Sequence, residues 1–299
     1  MMNKVLIAGG SGLIGNRLTE LLLEDGFKVA WLSRTLHKQE GVEVYEWNPH
    51  SGKMDVRALN NCDVIINLAG SSISKGRWTE EFKKKIISSR LDSASCILKS
   101  LAENENQVEC IISSSAIGYY GDRKDELLSE TSDQGTGFLA ETSVLWEQAY
   151  SSASIRHVGF RIGVVLANDG GILKEMRLPL RFGICPILGD GEQYLSWIHI
   201  DDLCRQMIHA IKNKNMQGIY NAVSPEPVNM KVFMKELVKT FQPYCLSIPA
   251  PAFLLKLLLG EKSSLILNSA RVNADKIMQS NFQFQFPQLK NALHALSKK

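Results

Sequence analysis

A chain of 299 residues with 44% hydrophobic and 22% charged side chains has the balance of an ordinary globular protein, long enough for one large α/β domain or for a domain with a smaller companion. Its 34 basic and 31 acidic residues leave a net charge of +3, too little to argue for nucleic acid. The densest basic run, Lys83-Lys84-Lys85, falls in a helical pattern and reads as a solvated face, and no basic stripe or set of stacking aromatics accompanies it.

The chain opens Met1-Met2-Asn3-Lys4 and runs straight into KVLIA (4–8), a β-branched strand pattern with no secretory leader pattern before it; a cytoplasmic protein is expected. Glycines follow, and from Gly12 to Asp25 the residues Ile14, Leu18, Leu21 and Leu22 recur at helical spacing, with Gly26 placed to end the helix. Strands are predicted at 28–32, 42–47 and 63–69, with a short helix near 55–60. A long helix over 79–103, a strand at 108–113, a helix over 138–151 and a strand at 157–163 continue the alternation. Strands alternating with helices give a parallel, doubly wound sheet.

After Leu166 the pattern changes. Residues 167–195 form a Gly/Pro-rich insertion without a steady period. SWIHI (196–200) reads as strand, Asp201-Asp202 as a helix cap, 203–212 as helix and 218–223 as a strand returning to the sheet. Residues 1–224 are therefore expected to form the sheet domain, and 225–299, mainly helical and punctuated by prolines, a smaller C-terminal lobe over the substrate. The apolar run AFLLKLLL (252–259) is broken by Lys256 and too short to span a bilayer, so no membrane partner is expected. The six cysteines, Cys62, Cys96, Cys110, Cys185, Cys204 and Cys245, show no CxxC pair and no nearby histidine at ligand spacing, so reduced thiols and no metal are expected.

Two features carry the cofactor reading. Gly9-x-x-Gly12-x-x-Gly15 lies between a strand and an amphipathic helix, where glycine lets the backbone approach a pyrophosphate and the helix start presents free N–H groups. Nineteen residues beyond Gly15, at the tip of the second strand, stand Ser33-Arg34-Thr35, where an NAD site would place an acid on the ribose hydroxyl. An arginine does the reverse, clamping a 2′-phosphate with charge-assisted bonds. NADP is expected rather than NAD.

With that glycine spacing, NLAG at 67–70 and SSSAIGYYGD at 113–122, the sequence resembles the extended short-chain dehydrogenase/reductases, the NAD(P)-dependent epimerase/dehydratase superfamily. GRWTEEFKKKIISSR (76–90), GFLAE (137–141), RIGVVL (161–166), SWIHIDDL (196–203) and GIYNA (218–222) are similar to the branch called epimerase-family proteins, which ends in a domain of unknown function. The resemblance runs nearly end to end and implies a Rossmann-like fold. It implies that Gly9, Ser11, Gly12, Leu13 and Ile14 hold pyrophosphate, that Ser33 and Arg34 hold the adenosine phosphate, and that Leu68, Ala69 and Gly70 pass alongside. Lys85 and Arg90 are implied as cations near the phosphates and Val165 as lining for the nicotinamide end.

The same resemblance breaks at the catalytic pair. The superfamily's Tyr-x-x-x-Lys falls on Phe138 and Thr142, which supply neither an ionisable hydroxyl nor a cation. Ser115 stands at the position of the substrate-orienting serine, and Tyr119 or Tyr120, a short way downstream, is the candidate substitute acid, with Tyr119 put first. Glu141 and Glu147 are read as solvated or paired, and His199 as structural. Two functions follow: an NADP-dependent oxidoreductase or epimerase on a small carbonyl, hydroxyl or sugar-nucleotide substrate, or a non-catalytic NADP(H)-sensing regulator or scaffold. Old cell-division labels on some branch members attach to the second.

Overall fold

The computed structural model describes residues 4–298; Met1 to Asn3, expected to lead into the first strand, and Lys299 lie outside it. Strand β1 (Lys4–Ala8) leads to helix α1 (Leu13–Glu24), β2 (Lys28–Ser33) and β3 (Val42–Asn48). A short β4 (Lys53–Met54) precedes β5 (Cys62–Asn67), α2 (Glu80–Glu103), β6 (Cys110–Ala116), β7 (Leu127–Leu128), α3 (Phe138–Gln148) and β8 (Arg156–Ile162). The helix expected near 55–60 is a single 3-10 turn, Val56–Leu59, because the Asp55 carboxylate caps the Arg57 N–H and the turn stops four residues on.

Every residue of β1 is buried, as suits a parallel strand covered on both faces by helices. Leu18, Leu21 and Leu22 are the buried apolar stripe of α1. That helix stops as expected at Gly26. Its N–H bonds the Leu23 carbonyl and the Phe27 N–H reaches back to Leu22, a pairing that needs the positive φ of +81° found there.

Beyond β8 come β9 (Val164–Leu166), α4 (Gly171–Leu180), β10 (Ile184–Leu188), β11 (Tyr194–Leu195) and β12 (Trp197–His199). The stretch expected to lack a period thus contains a helix, whose Leu173, Met176 and Leu180 turn inward. Helix α5 (Ile200–Lys212) begins earlier than expected, and its cap is not the aspartate pair. The His199 ring accepts from the Asp201 N–H, while Asp201 and Asp202 sit in the first turn, where their charge favours the helix start. Asp202 also accepts the Gln285 and Phe286 N–H groups, which pins the C-terminal segment against α5.

Strand β13 (Gly218–Ala222) returns to the sheet beside β8. The remainder comprises β14 (Val228–Asn229), α6 (Met230–Phe241), β15 (Leu246–Ala250), α7 (Ala252–Leu259), α8 (Ser264–Leu267), β16 (Arg271–Val272), α9 (Asp275–Gln279) and α10 (Leu289–Ser297).

The main sheet runs β13-β8-β6-β5-β1-β2-β3-β4, parallel except for the β3–β4 pair. Strand order reverses direction between β1 and β5, the crevice where doubly wound sheets hold ligands. One face packs Val5 and Ile7 against Leu18, Leu22 and Met207, and Val272 and Ile277 from the far end of the chain join this core. The opposite face packs Leu6, Leu32 and Ile65 against Ile97. A separate core unites Leu173 and Trp197 with Phe233, Leu237 and Leu293.

Candidate functional site

The switch-point crevice is lined by glycines that nothing larger could replace. A Cβ on Gly15 would lie 2.4 Å from the Gly9 carbonyl oxygen, and one on Gly9 would meet the Leu68 backbone at 3.0 Å. Gly10 leaves room for the Trp31 ring, which a Cβ would meet at 2.4 Å. Gly12 caps α1 with backbone only: no side chain satisfies the helix start and no acid lies in its first turn. The first N–H groups of α1 are thus left for an anion, and the positive end of the helix dipole favours one. This cradle fits a dinucleotide pyrophosphate.

The β1–β2 register sets Leu32 level with Ala8, which puts Ser33 and Arg34 one strand over from Gly9 and Gly10. Ser33 donates to the Thr35 carbonyl at 2.8 Å, and Arg34 is exposed, with no ion pair among the described residues. On the other side of the crevice, the Leu68 N–H bonds Ala8 and the Ala69 N–H bonds the Asn67 side chain, fixing the 68–70 turn against Gly9. Arg90 packs behind Gly70, 3.3 Å from where a Cβ would be, and its guanidinium lies 4.6 Å from the Trp146 ring. It bonds the Ser71 and Ile86 carbonyls and meets no carboxylate among the described residues. Burial holds it down to about 10. Lys85, one residue off that inner face, is exposed. Val165 comes close to the cradle through Gly170 and Gly171, which rest on the Leu13 side chain.

At the end of β6, Ser115 donates to Glu147 at 2.7 Å, and the Arg161 guanidinium grips the same carboxylate with two bonds of 2.8 Å. A carboxylate paired this way can only accept, so the serine hydrogen is committed to it. Arg161 also donates to the Tyr120 hydroxyl at 3.0 Å, which donates to Asn221 at 2.6 Å. Burial pushes Tyr120 up to about 12 against the opposing charge of Arg161. Burial works against the Arg161 charge too, but the contacts with Glu147 and Tyr120 together outweigh it and hold the guanidinium above its ordinary value. The Tyr119 ring lies under that guanidinium, 3.3 Å from centroid to carbon, and its hydroxyl has no hydrogen bond among the described residues.

Phe138 meets Trp78 edge-on at 5.0 Å, and the Thr142 hydroxyl is turned back onto the Phe138 carbonyl at 2.7 Å. Both aromatic rings open onto a cleft of about 730 Å³ closed on its far side by Lys256, Leu267 and Asn268. Lys83 crosses it to Glu80 and Glu261, and Lys262 bonds the Ser74 and Gly76 carbonyls.

The profile of the NAD dependent epimerase/dehydratase family matches residues 5–144, and that of a domain of unknown function, DUF1731, matches 250–296. The Bacillus subtilis epimerase family protein YfhF is 35% identical over 98% of this chain and 97% of its own length. The chain belongs to that epimerase family. An epimerase family protein of Staphylococcus saprophyticus is 31% identical over 99% of both chains. Among solved structures, the human epimerase family protein SDR39U1, crystallised with NADPH, superposes with a TM-score of 0.86 at 27% identity over 99% of both chains. A nucleoside-diphosphate sugar epimerase from Corynebacterium glutamicum gives 0.79 at 30% identity, covering 100% of this chain and 59% of that one.

In this epimerase-family chain the structure brings Gly9, Gly12, Leu13, Leu68, Gly70, Arg90 and Val165 around one crevice. Ser11 is exposed on the loop and Ile14 half-buried in the first turn of α1. Sequence reasoning missed the joint role of Glu147 and Arg161 as the anchor of Ser115. Their only signal is a glutamate five residues past Thr142 and an arginine next to the end of the following strand, which no local pattern links. Trp78 was also missed; its position two residues before the start of α2 gives no sign that it will meet Phe138.

Proposed function

We propose that the chain binds NADP(H) and acts as an oxidoreductase or epimerase on a small carbonyl, hydroxyl or sugar-nucleotide substrate, without the usual tyrosine–lysine pair. The observation that carries the cofactor choice is Arg34, an exposed guanidinium one strand over from the glycine cradle, with no carboxylate in Ser33-Arg34-Thr35 to repel a phosphate. The human neighbour crystallised with NADPH supports the same choice. Arg90, a buried cation without a carboxylate, is a second partner for the cofactor's anionic part. When bound, the cofactor supplies a hydride donor or acceptor at its nicotinamide ring.

The protein's own part is to hold that ring between Leu68–Gly70 and Val165 and to exchange a proton with the substrate oxygen. Ser115 accepts a hydrogen bond while its own hydrogen stays on Glu147, which makes it a positioning residue. Tyr119, whose hydroxyl has no hydrogen bond among the described residues, is the group left for proton exchange. The Phe138–Trp78 cleft is the substrate's place. A second reading, an NADP(H) sensor or scaffold linked to cell division, is favoured by one observation: Thr142 is bonded back onto its own helix and Phe138 offers no proton.

Titrating purified protein with each nicotinamide nucleotide tests the cofactor. Arg34→Ala is expected to weaken NADPH by about 10- to 100-fold and NADH by less than about twofold; equal loss of both sinks the assignment. On the same sample, slow NADPH oxidation with a panel of carbonyl compounds, lost in Tyr119→Phe while NADPH binding persists, supports the enzyme. Tight NADPH binding with no turnover across the panel supports the sensor.

A further inference from the structure

Of the sixteen large apolar side chains that stand exposed among the described residues, ten fall within two short stretches, 178–184 and 244–258. Single exposed apolar residues are ordinary, but a contiguous set marks a contact surface. These two stretches are contiguous. β10 and β15 pair in parallel with Ile184 level with Leu246, and the Leu246 N–H bonds the Gly183 carbonyl. Side chains alternate along a strand, so Ile184, Leu246 and Ile248 share one face while Cys185 turns into the core. Phe182 and Tyr244, 76% and 88% exposed, extend that face at one end.

At the other end Pro251 leads directly into α7, none of whose residues is buried. Phe253 and Leu257 lie one turn apart on it and are 73% and 79% exposed; Leu258 is 64% exposed.

Charge separates the possible occupants. Residues 176–188 and 243–260 carry Arg177, Arg181 and Lys256 and no aspartate or glutamate. Arg181 and Lys256 make no ion pair among the described residues, and the next acid along the chain, Glu261, is taken by Lys83. A second copy of this surface would bring like charges together. It could not readily extend the ribbon either: residues 246 and 250 bond toward β10, which leaves Ser247 and Pro249 at the outer edge, and proline has no N–H to offer. An anionic bilayer meets both requirements, taking the aromatic and leucine side chains at its boundary and the cations among its headgroups. We propose that the β10–β15 face and α7 form a docking surface for an anionic lipid bilayer. The span-length argument against a crossing helix sets no limit on one lying flat. Lys256 also lines the Phe138–Trp78 cleft, so docking would bring the mouth of that cleft to the lipid boundary.

Co-sedimentation of the full chain with vesicles tests this, using phosphatidylcholine alone and phosphatidylcholine mixed with phosphatidylglycerol. The protein is expected to pellet with the mixed vesicles and not with phosphatidylcholine, and to be released by salt. Arg181→Glu is expected to weaken that binding about fivefold or more, and the Phe253→Ser/Leu257→Ser pair to abolish it. Both variants change exposed side chains, and a retained melting transition checks that they fold. Failure to pellet with either vesicle overturns the proposal. So does a dimer in analytical ultracentrifugation that the Phe253→Ser/Leu257→Ser pair dissociates, since the surface would then belong to a second copy.

Discussion

His157 sits on β8 with its ring stacked on Tyr150 at 4.8 Å and its Nε2 2.8 Å from the Ser113 hydroxyl. Burial holds its pKa down to about 4, with the Glu147 charge opposing. An unfolded chain would bind this proton near the ordinary 6.5, so between those values the unfolded state carries more protons and falling pH favours it. The stabilisation is present above about pH 6.5 and is lost as the pH drops toward 4, amounting to about 3 kcal/mol. Urea midpoints of wild type and His157→Gln between pH 7 and 4.5 check this: the wild type should lose stability more steeply. Parallel slopes would remove His157 from the account. Neither this histidine nor the Ser115–Glu147 bond was legible beforehand. A single sequence names the hydroxyl but not the carboxylate thirty-two residues away that takes its hydrogen.

The β1–loop–α1 unit was the most legible element, because a buried strand, three spaced glycines and one apolar helical face all point to the same geometry. Gly15→Ala tests it directly. The added Cβ would lie 2.4 Å from the Gly9 oxygen and 2.6 Å from that of Gly10, both backbone atoms that cannot turn aside. NADPH and NADH should both weaken by more than about tenfold and the melting temperature should fall, by a few degrees for each kcal/mol of strain. Unchanged binding of both nucleotides would contradict the cradle. This signature differs from that of Arg34→Ala, which separates the two nucleotides. Helix α4 escaped notice for a physical reason: its inward residues Leu173, Met176 and Leu180 do follow a helical period, but Gly170, Gly171 and Pro179 bracket so short a run that the breakers dominate. The start of α5 was misread because two aspartates look like caps, while the cap itself is a histidine ring.

At the scale of the whole molecule, proline density shows where the chain leaves the sheet but says nothing of its return. Val272, Ile277 and Phe282 pack into the first core beside residues of β1, and β16 pairs with β7 across more than a hundred residues. Helices α4 and α6, from between these anchors, and α10, from beyond them, build the second core. Contacts of this range are set by packing and leave no local trace in sequence. A chain ended after Asn268 should therefore lose more than its last helices. It leaves β7 unpaired and the first core open, and is expected to be insoluble or to show no cooperative melting transition. A truncated chain that melts as sharply as the intact one would contradict this packing.

That late closure also sets a clock on biosynthesis. Every strand of the main sheet has been made by Ala222, yet the core beneath it waits for Phe282, sixty residues later. At ribosomal speed this is roughly 3 to 12 s during which the finished sheet, already covered on that face by α1 and α5, lacks the patch that Val272, Ile277 and Phe282 complete. For that interval the nascent chain shows apolar surface that the finished fold covers.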